Sequence, residues 1–343
     1  MTAKHVAVIP GDGAGKEVIP EALKVVRAAG VQLDLHEYDL GAERFLRTGE
    51  VLPDSVFAEL QQADAILFGA VGDPRVKNPQ YLRDMLLRLR FDLDLYANLR
   101  PARLLDERLS PLADAARRQT DLLIVRENVE GAYVGMGGRM RAGTPEELAV
   151  QEDVNTRRGV TRILQCAFAH AKREVCMVDK SNAMTHVGGL WQECFAEIAA
   201  AHDRVKTRHL YVDAAAMQLV RDPSQFDVIV TSNLFGDILS DLTAQLVGGM
   251  GVAPSANVNP EQGRGLFEPV HGSAPDIAGQ GLVNPMGAIW SAAMMVEHLG
   301  FQAEAHAIED AIRAALQAKE CTRDVGGQLS TSEAGDAIAR RVA

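Results

Sequence analysis

The sequence predicts an α/β fold with a largely parallel sheet, on three observations. Apolar runs of strand length recur along the chain, and stretches with helical spacing separate many of them. The chain has 343 residues, 47% of them hydrophobic, enough to bury a large core and to suit two domains or one large one. No internal repeat, low-complexity tract or obvious linker interrupts it.

In chain order, the first strand is "HVAVI" at 5, followed by the helical pattern "EVIPEALKVVRAAG". A second helix is expected in "DSVFAELQQA", leading into the strand "AILFGAV" at 65. Further strands follow at 122 ("LLIV"), 175 ("VCMV"), 209 ("HLYV") and 226 ("FDVIVT"). A helix is expected over 285–299, with Asn284 as its cap, Pro285 in the first turn and Gly300 closing it. Its body, "MGAIWSAAMMVEHL", is apolar nearly all round, which predicts burial.

The formal charge of −11 argues against nucleic acid or anionic membrane as partners. Cys166, Cys176, Cys194 and Cys321 form no C-x-x-C pair and read as free thiols in a reducing compartment. "MTAKHVAVIPGDG" has too short an apolar run for a signal peptide, and no run of about 18 apolar residues occurs. A cytoplasmic protein is the expectation.

Between the first strand and helix stands "PGDGAGKEV". Such a turn can hold phosphate, but G-x-G-x-x-G fails by one residue. A P-loop fails on spacing too, because Glu17 follows Lys16 where Ser or Thr is needed. A tight turn requiring glycine backbone angles is the plainer reading.

The strongest local pattern is "DVIVTSNLFGDILSDLTAQLVGG". Asp237 and Asp241, four residues apart, share one helix face. They are either solvated acids or a cation site, and their apolar neighbours favour the cation. Carboxylate oxygens without His or Cys suit Mg²⁺ or Mn²⁺ over zinc. Asp213, at the end of the strand "HLYVD", could complete the set. Arg90, Arg100 and Arg126 each follow an apolar run, where open sheets bind ligands, and the guanidinium fork matches a carboxylate. Three of them beside an acidic metal site suggest a chelating hydroxy-diacid. Tyr133 and Lys180 are acid–base candidates, Lys180 because it follows a buried strand. The stretch 267–285 shows no strand or helix period and reads as a long functional loop, in which Asp276 could meet a ribose diol.

Together, "GDGAGKEV", "ANLRPARL", "IVRENVEGAY", "DKSNAM", "VDAAAMQLV", "NLFGDILSDLTA" and "FEPVHGSAPDIAGQGLVNP" resemble the β-hydroxyacid oxidative decarboxylases, the isocitrate/isopropylmalate dehydrogenase family. The resemblance runs from residue 4 to about 335. It implies a two-domain α/β fold that is not a Rossmann fold. The larger, cofactor-binding domain comprises 1–98 and 252–343. The smaller, 99–251, carries the homodimer contacts and the metal and substrate residues. Active sites in the family are shared between subunits. By resemblance Arg90, Arg100 and Arg126 bind substrate carboxylates. Asp237 and Asp241 hold Mg²⁺ or Mn²⁺ with the second subunit's Asp213, which also borders substrate. Tyr133 and the second subunit's Lys180 are the acid–base pair. The dinucleotide lies on His271, Gly272, Ser273, Ala274, Asp276, Ile277 and Asn284. An acid at 276, where NADP-using relatives carry lysine, implies NAD⁺.

Leu86 and Leu87, four and three residues before Arg90 and so on its helix face, stand where isopropylmalate-oxidising members hold the isopropyl group. That implies NAD-dependent oxidative decarboxylation of 3-isopropylmalate to 4-methyl-2-oxopentanoate, in leucine biosynthesis. Homoisocitrate, D-malate or tartrate is the alternative substrate. Arg83, one turn earlier, could favour homoisocitrate, while Arg88 should point away. A nucleoside-triphosphate-binding module fails on the spacing at 11–16, and a silent regulatory subunit on the full Arg, Tyr, Lys and Asp set.

Overall fold

The computed structural model describes residues 3–78, 80–114 and 119–342. The strands are β1 (Lys4–Gly11), β2 (Leu33–Glu37), β3 (Ala65–Ala70), β4 (Ala97–Arg103), β5 (Asp121–Glu127), β6 (Gly137–Met140), β7 (Leu148–Gln151), β8 (Glu174–Asp179), β9 (Lys206–Tyr211), β10 (Val228–Thr231), β11 (Pro254–Asn259) and β12 (Arg264–Pro269). The helices are α1 (Gly15–Ala28), α2 (Ala42–Thr48), α3 (Asp54–Leu60), α4 (Arg88–Asp92), α5 (Arg157–His170), α6 (Thr185–Ala199), α7 (Val212–Arg221), α8 (Asn233–Leu246), α9 (Met286–His298), α10 (Gln302–Gln317) and α11 (Thr331–Val342).

One 10-stranded sheet runs β2-β1-β3-β12-β11-β4-β5-β10-β8-β9. The flanks β2-β1-β3-β12 and β5-β10-β8-β9 are parallel within themselves. Between them β12-β11, β11-β4 and β4-β5 pair antiparallel. The two parallel flanks therefore run in opposite directions about an antiparallel seam. The seam is held by polar groups: Asn98 donates to Ser255 and Asn257, and Asn128 donates to Asn257, all buried. The expected domain limits at 98/99 and 251/252 fall inside β4 and in the 3-10 turn Met250–Val252 before β11, so both lines meet this seam.

α9 is buried over most of its surface, as its composition predicts. It starts at Met286, with Pro285 outside the helix and Asn284 Oδ1 accepting the Met286 N–H at 3.0 Å. Three more expectations shift. Asp213 does not end a strand; β9 stops at Tyr211 and Asp213 sits in the first turn of α7. The 267–285 segment is not loop throughout, because β12 extends through Pro269. Before α4 the chain forms a π-helical turn, Arg83–Leu87, so the faces inferred from regular α spacing do not hold there. Among the described residues no helix is long and apolar enough to cross a membrane.

Candidate active site

The opening turn is settled by what its acids bind. Asp12, 2% exposed, accepts the Ala42 and Gly72 N–H groups and the Tyr81 hydroxyl at 2.7–2.9 Å. Glu17 accepts the N–H groups of Gly279 and Gly281 at 2.5 and 3.0 Å. The turn's own N–H groups from Asp12 to Glu17, Gly13 aside, donate to backbone carbonyls, so they are not free to cradle phosphate. Gly13, at φ +48, leaves room for the Ser273 carbonyl, which a Cβ would meet at 2.2 Å, and the Ala14 N–H donates to that carbonyl. The turn is thus a bracket for the 271–284 segment.

β5 delivers Arg126 at its C-terminal end, 1% exposed, against α8. Gly236 of α8 permits this approach, since a Cβ there would lie 2.5 Å from Arg126 Cγ. Arg126 donates to Asn233 Oδ1 through Nε and Nη2 at 3.0 and 2.7 Å, and through Nη1 to Asp237. Arg100 lies mid-strand in β4 rather than after it, so its placement does not follow the strand-end rule. It is adjacent because Asn98 pairs with Arg126, and residues two apart share a sheet face. Arg100 Nη1 donates to Ser240 at 2.7 Å and faces Asp241 and Asp237 at 3.4 and 3.6 Å. Arg90, in α4 and not at a strand end, forms a buried pair with Glu268 at 2.7 Å. Asn257 donates to the same Glu268 oxygen at 2.8 Å.

Arg100 and Arg126 thus converge on Asp237 and Asp241, while Arg90 is paired with Glu268. Burial depresses the Arg126 and Arg100 pKa values, and for Arg126 the adjacent Arg100 adds to this. Asp241 is raised by burial, Arg100 countering in part. Burial would raise Asp237 as well, but Arg126 and the Tyr133 hydrogen bond bring it below its ordinary value. Tyr133 comes from the turn after β5 and donates to Asp237 Oδ2 at 2.6 Å. Burial and that bond raise the phenol. Arg90 Nη1 and Arg100 Nη2 carry no hydrogen bond among the described residues, which leaves N–H donors for an anion.

Lys180 and Asp213 lie elsewhere. They pair with each other at the surface and make no hydrogen bond or ion pair with Asp237 or Asp241 in the same chain. The sequence assembled all three acids; one chain joins only two.

Leu86 packs partly onto a cluster with Tyr81, Met85 and Leu89. Leu87 is half-buried and belongs to no apolar cluster among the described residues. Arg88 points away, to the Leu52 carbonyl and Asp54. Arg83 is committed: its Nη2 donates to the Val134 carbonyl at 3.1 Å, and its guanidinium lies against Gly135. Asp276 is exposed and its carboxylate has no partner among the described residues, while Ile277 packs partly on the core. His271 Nδ1 donates to the Gly272 carbonyl, leaving Nε2 buried and unpartnered, and burial lowers the imidazole pKa. Gly272 is exposed, Ser273 is 9% exposed, Ala274 takes a positive φ of 40° and Asn284 donates to Asp324 at 2.9 Å.

Glu268, Asn233 and Ser240 escaped the sequence reading. An acid among apolar residues in "GLFEPV" was a usable signal for the first. A groove of about 980 Å³ lies along Arg103, Asp121, Asp227 and Trp290 and contains none of the predicted site residues.

The isocitrate/isopropylmalate dehydrogenase family pattern matches residues 5–338. A 3-isopropylmalate dehydrogenase of Thermobifida fusca is 51% identical over 100% of this chain and 99% of its own. One from Streptomyces griseus is 47% identical over 98% of each. Among solved structures, isocitrate dehydrogenase from Methylococcus capsulatus superposes with a TM-score of 0.91 at 36% identity, covering 99% of both chains.

Proposed function

The chain belongs to the isocitrate/isopropylmalate dehydrogenase family, and from that premise we propose that it is an NAD-dependent 3-isopropylmalate dehydrogenase, acting in leucine biosynthesis. The observation that carries this reading is full-length identity of 47–51% to relatives of that name. The solved relative named for isocitrate is less similar, at 36%. A half-buried Leu87 outside the core supports an alkyl-binding role.

Arg90, Arg100 and Arg126 hold the two malate carboxylates, using the N–H groups left over from their protein contacts. Asp237 and Asp241, all-oxygen and offset only by arginine, fit Mg²⁺ or Mn²⁺ with Asp213 of a second copy. Such an ion supplies Lewis-acid polarisation of the C2 oxygen, and NAD⁺ supplies the hydride acceptor. Lys180 of the second copy takes the C2 hydroxyl proton. Once C2 is a ketone, the carboxylate β to it leaves as CO₂. Tyr133, whose raised pKa keeps it protonated, then donates to the resulting carbon.

A homodimer follows from this assignment. Its support is the exposed apolar surface of α7 and α8, with Met217 67% and Ile238 56% exposed, and the fully exposed hairpin β6-β7. A two-stranded hairpin alone is marginal in water and needs a surface to pack on. NAD⁺ fits the 271–284 segment: Asp276 can accept from a ribose 2′-hydroxyl and would repel a 2′-phosphate. His271 Nε2, an acceptor in this tautomer, is suited to an amino donor such as adenine's. The division into a larger domain of 1–98 and 252–343 and a smaller one of 99–251 is part of the proposal. The test is NADH formation from a panel of 2-hydroxy-diacids, in which 3-isopropylmalate should be the best substrate.

A further inference from the structure

We propose that His5, Asp34 and His36 form a second, chemically different metal site that takes a borderline divalent transition ion, Zn²⁺ foremost. It lies on β1 and the edge strand β2, apart from the arginine and aspartate cluster.

The placement follows from strand register. His5 pairs directly with Asp34, so their side chains share a face, and His36 is two residues further along β2 on that same face. Val6 and Leu35, between them, turn the other way into the core. Alternation thus holds three ligand-type side chains together on two hydrogen-bonded strands, a stiffer mount than a loop.

The spacing is that of a coordination shell. His5 Nδ1 lies 3.4 Å from Asp34 Oδ2, and His36 Nε2 lies 3.3 Å from Asp34 Oδ1. Ligands about 2.0–2.1 Å from a tetrahedral zinc are separated by about 3.3 Å. One ligand atom from each residue falls within 4.8 Å of the others, and among the described residues no other His, Cys, Asp and Glu group meets that condition. The imidazole rings of His5 and His36 meet edge to face, with centroids 4.6 Å apart. Lys4, the adjacent cation, is turned to Asp64 at 3.1 Å, and Asp64 also accepts the His5 N–H.

Two imidazoles and one carboxylate favour Zn²⁺, Cu²⁺ or Ni²⁺ over Mg²⁺ or Mn²⁺, whereas the all-carboxylate set at Asp237 and Asp241 has the reverse preference. Asp34 and His36 are exposed, so water can complete the shell. The four cysteines are buried and do not compete for the ion. A bound ion would tie the edge strand to its neighbour.

Zinc titration of the full chain by calorimetry, with Mg²⁺ saturating, tests this. The wild type should bind one Zn²⁺ per chain through this site, and His36→Ala should weaken that event at least 10- to 100-fold, the loss seen when only an outer-shell partner is removed. NADH-forming activity of the zinc-free variant should be unchanged, and His5→Gln should repeat the result. Zinc-edge anomalous diffraction should place a peak between the three side chains. Equal zinc affinity in wild type and both variants, or no peak there, would overturn the site.

Discussion

Tyr133 donates its hydroxyl to Asp237 at 2.6 Å, which couples the proposed proton donor to a proposed metal ligand. Burial, the hydrogen bond and the Asp237 charge all hold the phenol above its ordinary value of 10.0. The tyrosine is therefore held in its protonated form, as the proposed acid role requires. Tyr133→Phe should lower kcat about 10²- to 10⁴-fold, with a smaller change in KM. In the wild type, no alkaline loss of kcat below pH 10 should trace to this phenol. A pH–rate profile of both proteins checks this; unchanged kcat in the variant would remove Tyr133 from the chemistry.

Metal removal should abolish turnover, and Mg²⁺ or Mn²⁺ should restore it. Asp241, raised by burial, binds its proton at higher pH than an ordinary aspartate. Protons compete with metal, so the activation constant for Mg²⁺ should weaken as pH falls towards the Asp241 pKa and level off above it. Asp241→Asn should raise that constant and flatten its pH dependence. Full activity after exhaustive chelation would refute the metal role.

Glu17 binds the Gly279 and Gly281 N–H groups and so fixes the proposed cofactor segment. Glu17→Ala removes the shared acceptor that ties the exposed Gly279 and half-buried Gly281 N–H groups to the opening turn. KM for NAD⁺ should rise at least tenfold, with KM for substrate little changed. A rise confined to the substrate KM would contradict the bracket role.

Asp276→Lys with Ile277→Tyr should shift preference from NAD⁺ towards NADP⁺, because one repulsion at the 2′ position is removed and an attraction supplied. The ratio of kcat/KM values for the two cofactors measures it. An unchanged ratio would mean this loop does not read the ribose.

Much of the outer sheet was legible because β1, β3, β5, β8 and β10 are near-continuous apolar runs, the pattern of strands covered on both faces. The seam was not. β4 contains Asn98, Arg100 and Pro101, and β11 contains Ser255, Asn257 and Asn259, so their strand character rests on partners distant in sequence. The Asp237 and Asp241 pair was readable because it depends only on helix spacing. Glu268 stood out only as an acid among apolar residues, and its partner Arg90, across the fold, was not readable. The π-helical turn before α4 leaves no trace in periodicity, and the bond from Arg83 to the Val134 carbonyl joins residues 51 apart, which spacing does not reveal.

The central claim is the substrate, and the kcat/KM ratio of 3-isopropylmalate to homoisocitrate tests it most directly, in wild type, Leu87→Arg and Arg83→Ala. Shorter alkyl malates should lose about 1–3 kcal/mol per methylene. Homoisocitrate should lose more, because its extra carboxylate must desolvate beside leucine. Leu87→Arg should narrow or invert that gap with metal dependence intact. Arg83→Ala, which frees the Tyr133 turn from the Val134 contact, should slow both substrates alike. If wild type instead turns over homoisocitrate as well as 3-isopropylmalate, and Arg83→Ala abolishes only the homoisocitrate reaction, the isopropylmalate assignment is contradicted.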